Sequence, residues 1–237
     1  MKPLIVIPVY NEEEYIQEVI RKVQRFSVDD ILVIDDGSGD NSKEILRNIK
    51  GIRLLEHSSN QGYGFVLMEG FAYALERGYE VVLTMDCDDQ HEPHLIPKFL
   101  EKIRDADIVS GSRYINPVPM ELPPPETRKE INREITRIIN QITSFGLTDT
   151  FCGFKAYKVE ALKKLSLDEK GYGFPLQLWI QAYASGLSIL EIPVGLIYKN
   201  YNRSFGAELD DSKVRLKHYK EIIKKELSRI QLPISAI

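Results

Sequence analysis

Short apolar runs rich in Val and Ile alternate along the chain with segments whose apolar residues recur at helical spacing. That is the pattern of a mostly parallel sheet built from βα units. Strands are predicted from Leu4 to Pro8, Ile31 to Ile34, Ile52 to Glu56, Val81 to Met85 and Asp107 to Gly111. Helices are predicted after Asn11, from about Ser42, from Asn60 to about Arg77 and from Pro93 to Lys102. Asn11 is expected to cap the first of them, with Glu12, Glu13 and Glu14 against the positive end of its dipole. Ile31 to Ile34 has no polar residue, as expected of a strand covered on both faces.

The second half opens on Asn116 to Glu126, where Pro117, Pro119 and Pro123 to Pro125 predict an extended surface loop. Beyond it, Ile131, Ile135, Ile138, Ile139, Ile142 and Phe145 recur on one face of a helix flanked by Arg128, Arg133 and Arg137. A further helix is expected over Trp179 to Tyr183, and a strand pair or one bent strand over Ile189 to Tyr198. Lys213 to Arg229 reads as a basic helix, its seven cations facing Glu221 and Glu226. A charge run of this kind is ordinarily a solvated face.

Composition narrows the picture. With 237 residues, a single α/β domain buries a larger share of its surface than two small ones. A net charge of −4 argues against a globally basic nucleic-acid binder, and no nucleic-acid partner is expected. Cys87 and Cys152 lack metal or disulfide spacing, which points to a reducing, cytoplasmic setting. The longest apolar run, Leu4 to Val9, is too short to span a bilayer. Met1-Lys2-Pro3 leads directly into it, so no signal peptide is expected.

The candidate chemistry gathers at the predicted carboxyl ends of strands, where open α/β sheets bind ligands. Asp86 and Asp88, two apart after an extended run, are expected to point to one side. Two carboxylates there form an incomplete shell for Mg²⁺ or Mn²⁺, to be completed by substrate phosphates and water. Asp35-Asp36-Gly37-Ser38 reads as a tight turn, and the carboxylate of Asp36 is a candidate ligand contact.

These segments also carry a resemblance. Pro8-Val9-Tyr10-Asn11-Glu12, Asp35-Asp36-Gly37-Ser38, the Asn60-x-Gly62-x-Gly64 motif, Asp86-Cys87-Asp88 with Gln90 and His91, and Gly111-Ser112-Arg113-Tyr114 occur in order. Arg128, Asp149 with Cys152-Gly153-Phe154-Lys155, Glu191-Ile192-Pro193-Val194 and Asn202-Arg203-Ser204 follow. Over roughly residues 3–215 this resembles the family 2 glycosyltransferases of the GT-A fold, in their dolichyl-phosphate mannosyltransferase or polyprenyl-phosphate glycosyltransferase branch. The resemblance implies a single GT-A domain, Rossmann-like, with a mostly parallel central sheet flanked by helices. Residues 1–115 would be its nucleotide-sugar half, 116–212 its acceptor half and 213–237 a basic C-terminal helix.

It also implies roles. Pro8, Tyr10 and Glu12 would border the nucleobase and ribose of a GDP- or UDP-sugar, and Asp36 would accept a hydrogen bond from the base edge. Asp86, Asp88 and Gln90 would hold the metal, with Asp86 also facing the ribose. Arg113, Arg128 and Arg203 would meet phosphates, where the guanidinium fork outperforms a lysine. Lys213 resembles a family Lys, displaced by the insertion from Phe205 to Asp211, a candidate lid. The implied reaction is an inverting displacement that moves a hexose onto a polyprenyl or dolichyl phosphate. Asp88 and Arg203 would be catalytic, with Asp149 the candidate base.

A hydroxyl acceptor needs a base, whereas a lipid phosphate is already an anion. Gln177 stands where relatives of that branch commonly carry Glu, and an amide is no base. Family 2 transfer to a saccharide or small hydroxyl acceptor is the alternative; a non-catalytic nucleotide-sugar-binding protein is a further one. A nucleotidyltransferase is disfavoured, because the residues after the first strand hold neither Gly nor Lys. A lipid acceptor would be reached by peripheral contact with the membrane or through a membrane-embedded partner. Val118, Met120 and Leu122 with the Ile-faced helix are the candidate surface, and core packing explains the same isoleucines equally well.

Overall fold

The computed structural model describes residues 1–27, 30–115, 124–197 and 206–232. Among them, seven strands form one sheet: β1 (Pro3–Val9), β2 (Asp30–Asp35), β3 (Arg53–Glu56), β4 (Val81–Thr84), β5 (Ile108–Ser112), β6 (Lys155–Lys158) and β7 (Ile189–Pro193). Their order is β3-β2-β1-β4-β6-β5-β7. The five strands expected in the first half are all present. Of the segment expected as a strand pair or one bent strand, Ile189–Pro193 forms β7, and Tyr198 lies outside the described residues.

Alternation in β1 explains the layering. Leu4 and Val6 pack on one side of the sheet, and Ile5, Ile7 and Val9 on the other; all five are at most 1% exposed. On the second side lie α1 (Ile16–Phe26), α2 (Ser42–Asn48) and α4 (Ile96–Lys102). The first side carries α3 (Tyr63–Glu76), α5 (Glu126–Thr143), α6 (Val159–Leu162), α7 (Phe174–Ala184) and α8 (Ser212–Arg229). The apolar periodicity of the chain is thus spent on two cores, one per face.

One local expectation is corrected. Asn11 does not cap α1, which starts only at Ile16. Instead Asn11 has φ 56° and its Oδ1 accepts from Gly39 N at 2.8 Å. Glu13 accepts from Asn41 N at 3.0 Å, and Glu12 N donates to Ser42 Oγ at 2.9 Å. These bonds lace the loop after β1 to the loop after β2, outcompeting an early helix start. Of the insertion before α8, the candidate lid, Phe205 lies outside the described residues. The insertion's described part is a 3-10 turn, Ala207–Asp210, followed by Asp211, whose Oδ1 caps α8 by accepting from Lys213 N and Val214 N. Buried Arg215 donates back to the carbonyl of Leu209, which fastens this part to the start of α8.

The sheet also holds a strand the pattern did not predict. β6 pairs antiparallel with both β4 and β5, which therefore run parallel to each other. Together with the parallel pairs β1–β2, β1–β4, β2–β3 and β5–β7, this brings the carboxyl ends of six strands to one edge. β6 starts at that edge and delivers the residues just before it, Asp149 to Phe154, among those strand ends.

The Ile-faced helix resolves in favour of core packing. Ile131, Ile135, Ile138 and Ile139 of α5 are buried, and Ile142 and Phe145 pack against the same core. Arg133 and Arg137 are left outward. That apolar stripe therefore has no free surface to offer a membrane. Val118, Met120 and Leu122 lie outside the described residues.

Candidate active site

The ends of β1 and β2 are joined where Asp36 N donates to Val9 O at 2.8 Å. Pro8 pairs with Ile34 in the parallel register, Tyr10 follows Val9 and is half-exposed, and Glu12 lies in the loop laced to Ser42. Asp36 itself is 3% exposed and heavily used. Its Oδ1 lies 2.7 Å from His57 Nδ1 and accepts from Gln61 N at 2.8 Å, while Oδ2 accepts from Gly62 N at 2.8 Å. A carboxylate offers about four acceptor positions. One remains, on Oδ2, so a base contact through Asp36 is limited to a single hydrogen bond.

At the end of β4, Asp86 Oδ1 accepts from the Tyr63 hydroxyl at 3.0 Å and Oδ2 from His91 Nε2 at 3.2 Å. Burial alone would raise its pKa, but His91, Tyr63 and the nearby Lys155 charge hold it below the usual carboxylate value. Asp86 is thus ionised at neutral pH and keeps a lone pair on each oxygen. Gly153 closes the site behind it: a Cβ there would fall 2.1 Å from Asp86 Oδ2, so no side chain fits. Asp88 is buried, and its Oδ1 accepts from Gln90 N at 3.1 Å. Asp89, with φ 54°, turns out of the loop to meet Lys22 Nζ at 2.8 Å.

This donor set suits a hard divalent cation. Among the described residues no group of three or more His, Cys, Asp or Glu side chains gathers to enclose a metal. Two carboxylates at one strand end instead leave most positions to phosphate oxygens and water, the Mg²⁺ pattern. The Nδ1 atom of His91 is buried without a hydrogen-bond partner, so polar demand persists in the shell behind Asp86.

At the end of β5, Arg113 and Asp149 form a two-pronged pair. Nε donates to Oδ2 at 2.6 Å and Nη2 to Oδ1 at 2.8 Å, and Arg113 N adds a third bond. Asn132 Nδ2 and Phe151 N also donate to Oδ1. Asp149 is 0% exposed. Burial would raise its pKa, yet the guanidinium and these donors hold it below the usual range. This geometry argues against the expected base role: the carboxylate is buried and its oxygens are taken by Arg113, Asn132 and Phe151 N, which leaves no path to an acceptor hydroxyl. Its structural effect is to fix the Arg113 guanidinium.

Arg128 lies in the first turn of α5, one turn before Asn132 and so on the face turned toward this pair. Its charge is also felt by Arg215 of α8. Arg203 lies outside the described residues, as do Asn202 and Ser204. Lys213 is exposed and lines a groove on the outer face of α8. Gln177 is 1% exposed and structural: its Oε1 accepts from Asp168 N and Glu169 N, and its Nε2 donates to Asp168 and to buried Glu226. Its identity therefore says nothing about the acceptor.

Several supporting residues make contacts across the fold. Glu191 of β7 accepts from Thr148 N, Thr148 Oγ1 and Asp149 N, and so holds the loop that presents Asp149. Lys155 is 2% exposed, donates to the carbonyl of Cys152 and lies 5.4 Å from the Trp179 ring centroid. Burial pushes its pKa down. Tyr63, His57 and Glu69 complete the set. The Glu191 and Lys155 motifs were visible in sequence, but not what they touch.

Known proteins share both this sequence and this fold. The family model described as "Glycosyl transferase family 2" matches residues 4–166. An undecaprenyl-phosphate mannosyltransferase of Micrococcus luteus is 31% identical over 212 residues, covering 86% of this chain and 87% of that protein. A dolichyl-phosphate hexose transferase of Haloferax volcanii is 35% identical over 196 residues, covering 80% of each. The crystal structure of glucosyl-3-phosphoglycerate synthase from Mycobacterium tuberculosis, in complex with Mn²⁺, uridine diphosphate and glucosyl-3-phosphoglycerate, superposes with a TM-score of 0.74. It covers 98% of this chain and 81% of that one at 19% identity, a likeness of fold alone. Strand-end carboxylates, a single α/β domain of GT-A architecture and a family match across two thirds of the sequence converge on one statement: this chain belongs to glycosyltransferase family 2.

Proposed function

We propose that this glycosyltransferase moves a hexose from a nucleotide sugar to a polyprenyl or dolichyl phosphate. The observation that carries the acceptor class is the Arg113–Asp149 pair. The one acid that sequence offered as a base is consumed in fixing a cation, and a phosphate acceptor needs cations rather than a base. The names of the Micrococcus and Haloferax relatives point the same way.

In this reading residues 1–115 bind the donor, with Tyr10 and Pro8 walling the base and Asp36 accepting one hydrogen bond from its edge. Asp86 and Asp88, with Gln90 beside them, would hold a Mg²⁺ or Mn²⁺ ion, which when bound offsets charge on the diphosphate leaving group. Tyr63 and His91 orient Asp86, and Asp149 holds Arg113 pointed at phosphate oxygens as bond breaking builds charge there. Arg128, from the acceptor half 116–212, meets the attacking phosphate, and Arg203 joins it. The phosphate oxygen attacks the anomeric carbon from the face opposite the departing diphosphate, which inverts that centre.

The test offers purified protein GDP-mannose, UDP-glucose or UDP-N-acetylglucosamine with a short-chain polyprenyl phosphate, with Mn²⁺ or with EDTA. Glycolipid from one donor, abolished by EDTA, is the expected result. Transfer to a saccharide but to no lipid phosphate would establish the alternative acceptor class.

A lipid acceptor also needs a route to the membrane. No described helix is long and apolar enough to cross one. The outer face of α8 supplies a surface in place of the Ile stripe: Lys213, Lys217, Lys220 and Lys224 with Leu216 and Glu221 line a groove of about 360 Å³. Anionic headgroups attract such a row by roughly 1 kcal/mol per cation near the surface. Flotation with vesicles containing anionic lipid should carry the protein upward. Lys217→Glu with Lys224→Glu should leave it at the bottom, and equal flotation of the two proteins would refute the assignment.

A further inference from the structure

His57 follows β3 and contributes to neither the metal carboxylates nor the phosphate cations, yet its imidazole spans two acids. Nδ1 is 2.7 Å from Asp36 Oδ1, and Nε2 is 2.8 Å from Glu69 Oε2 on α3. The ring is 13% exposed and the Asp36 side chain 4%, so water competes poorly for either bond. Two carboxylates, one at each ring nitrogen, are both satisfied only when both nitrogens carry protons. Phe65 packs edge-on at 5.6 Å, and Lys170 lies over the Phe65 ring rather than against the imidazole. Asp36 and Glu69 are thus the charges facing it directly.

The consequence for Asp36 follows from its acceptor positions. With His57 and Gln61 N both on Oδ1, that oxygen is full, and Oδ2 keeps one position after Gly62 N. The same bonds pin the Gln61–Gly62 turn. Gly62 has φ 105°, and a Cβ on it would strike the Lys170 carbonyl at 2.4 Å, so the turn has little freedom to shift. Tyr63, the next residue, donates to Asp86. A continuous set of hydrogen bonds and one peptide link therefore runs from Glu69 through His57 and Asp36 to the proposed metal carboxylate.

We propose that His57 is a positioning residue of the nucleotide site, held as an imidazolium between Asp36 and Glu69 so that Oδ2 of Asp36 stays aimed at the base edge. This rests on the nucleotide-sugar reading above. Losing the proton leaves one carboxylate facing a lone pair and weakens the hold on Asp36 that its backbone donors, Gln61 N and Gly62 N, share with His57. Burial works against the imidazolium, but the bonds to Asp36 and Glu69 outweigh it and raise its pKa above the ordinary 6.5. The contribution is accordingly complete at low pH and fades as pH rises through that elevated value.

The experiment measures binding of UDP and of GDP, each with Mn²⁺, from about pH 6 to pH 9 by calorimetry. Wild type, His57→Phe and Glu69→Gln are compared. Wild type should lose roughly tenfold in affinity for its preferred nucleotide across that range beyond any loss common to all three proteins. His57→Phe should be weak throughout and lack that extra loss. Glu69→Gln should keep the low-pH affinity but lose it at a lower pH, a shift that a merely structural histidine would not show. In turnover the penalty should fall on donor KM, with kcat within about twofold. If wild type binds one nucleotide and the three pH profiles coincide, the role of His57 is overturned and the nucleotide site stands. If wild type binds neither nucleotide, the site and the role fall together. Should His57→Phe fail to fold, Glu69→Gln decides alone.

Discussion

Asp88→Ala should reduce hexose transfer roughly 10³-fold with the fold intact, the scale of several kcal/mol of lost charge stabilisation at the leaving group. In the proposed site Asp86 and Asp88 are the two carboxylates that would hold the cation, so removing one would take away half of that charge; among the described residues no third ligating side chain gathers with them. Asp88 is buried beside the loop backbone, and alanine leaves Asp86 with its Tyr63 and His91 bonds. Circular dichroism should therefore be unchanged while activity approaches that of wild type in EDTA. Retention of more than about a tenth of wild-type turnover would remove Asp88 from the metal site.

The second large effect is on stability. Asp149→Ala should cost about 3 kcal/mol, the lower end for a buried pair because the Arg113 side chain keeps 23% exposure, and it leaves Asn132 and Phe151 N without their acceptor. Against a total of about 5–15 kcal/mol this is a large fraction, visible as a fall in Tm of about 10 °C. A base role predicts lost kcat at unchanged Tm; the positioning role predicts that both fall. The pH dependence separates them further. The native carboxylate is held below its unfolded value, so its contribution is present above about pH 4 and is lost as pH falls through the folded value. The stability gap between wild type and variant should therefore close on acidification, and a gap that stays constant would contradict the pairing.

The positions of the proposed site residues are legible in the sequence. Asp36, Asp86, Asp88 and Arg113 stand at strand ends because a Val- and Ile-rich run is read locally, and the residue after it is then at the sheet edge. β6 was not legible. Lys155-Ala156-Tyr157-Lys158 is short and carries two lysines, a surface signature, yet Lys155 is inside because Cys152 O and the Trp179 ring receive its ammonium. Asn11 misled for a related reason. A polar residue before an apolar-periodic segment reads as a cap, but Gly39 N, 28 residues on, takes its side chain.

What the sequence determined by itself was whatever depends on near neighbours: the strands, the helical faces, the acids at strand ends and the family they spell out. Only the tertiary structure decided which of those acids remain available. Asp149 meets Arg113 from 36 positions away, Asp36 meets His57 from 21, and Gln177 meets Glu226 from 49. A buried charge or amide must find a partner, and the fold, rather than spacing along the chain, chooses which one comes within reach. Periodicity reports how a segment buries its apolar face. It carries no information about hydrogen bonds closed across the sheet, and those bonds turned a candidate base into a fixed counter-ion and an unremarked histidine into a clamp.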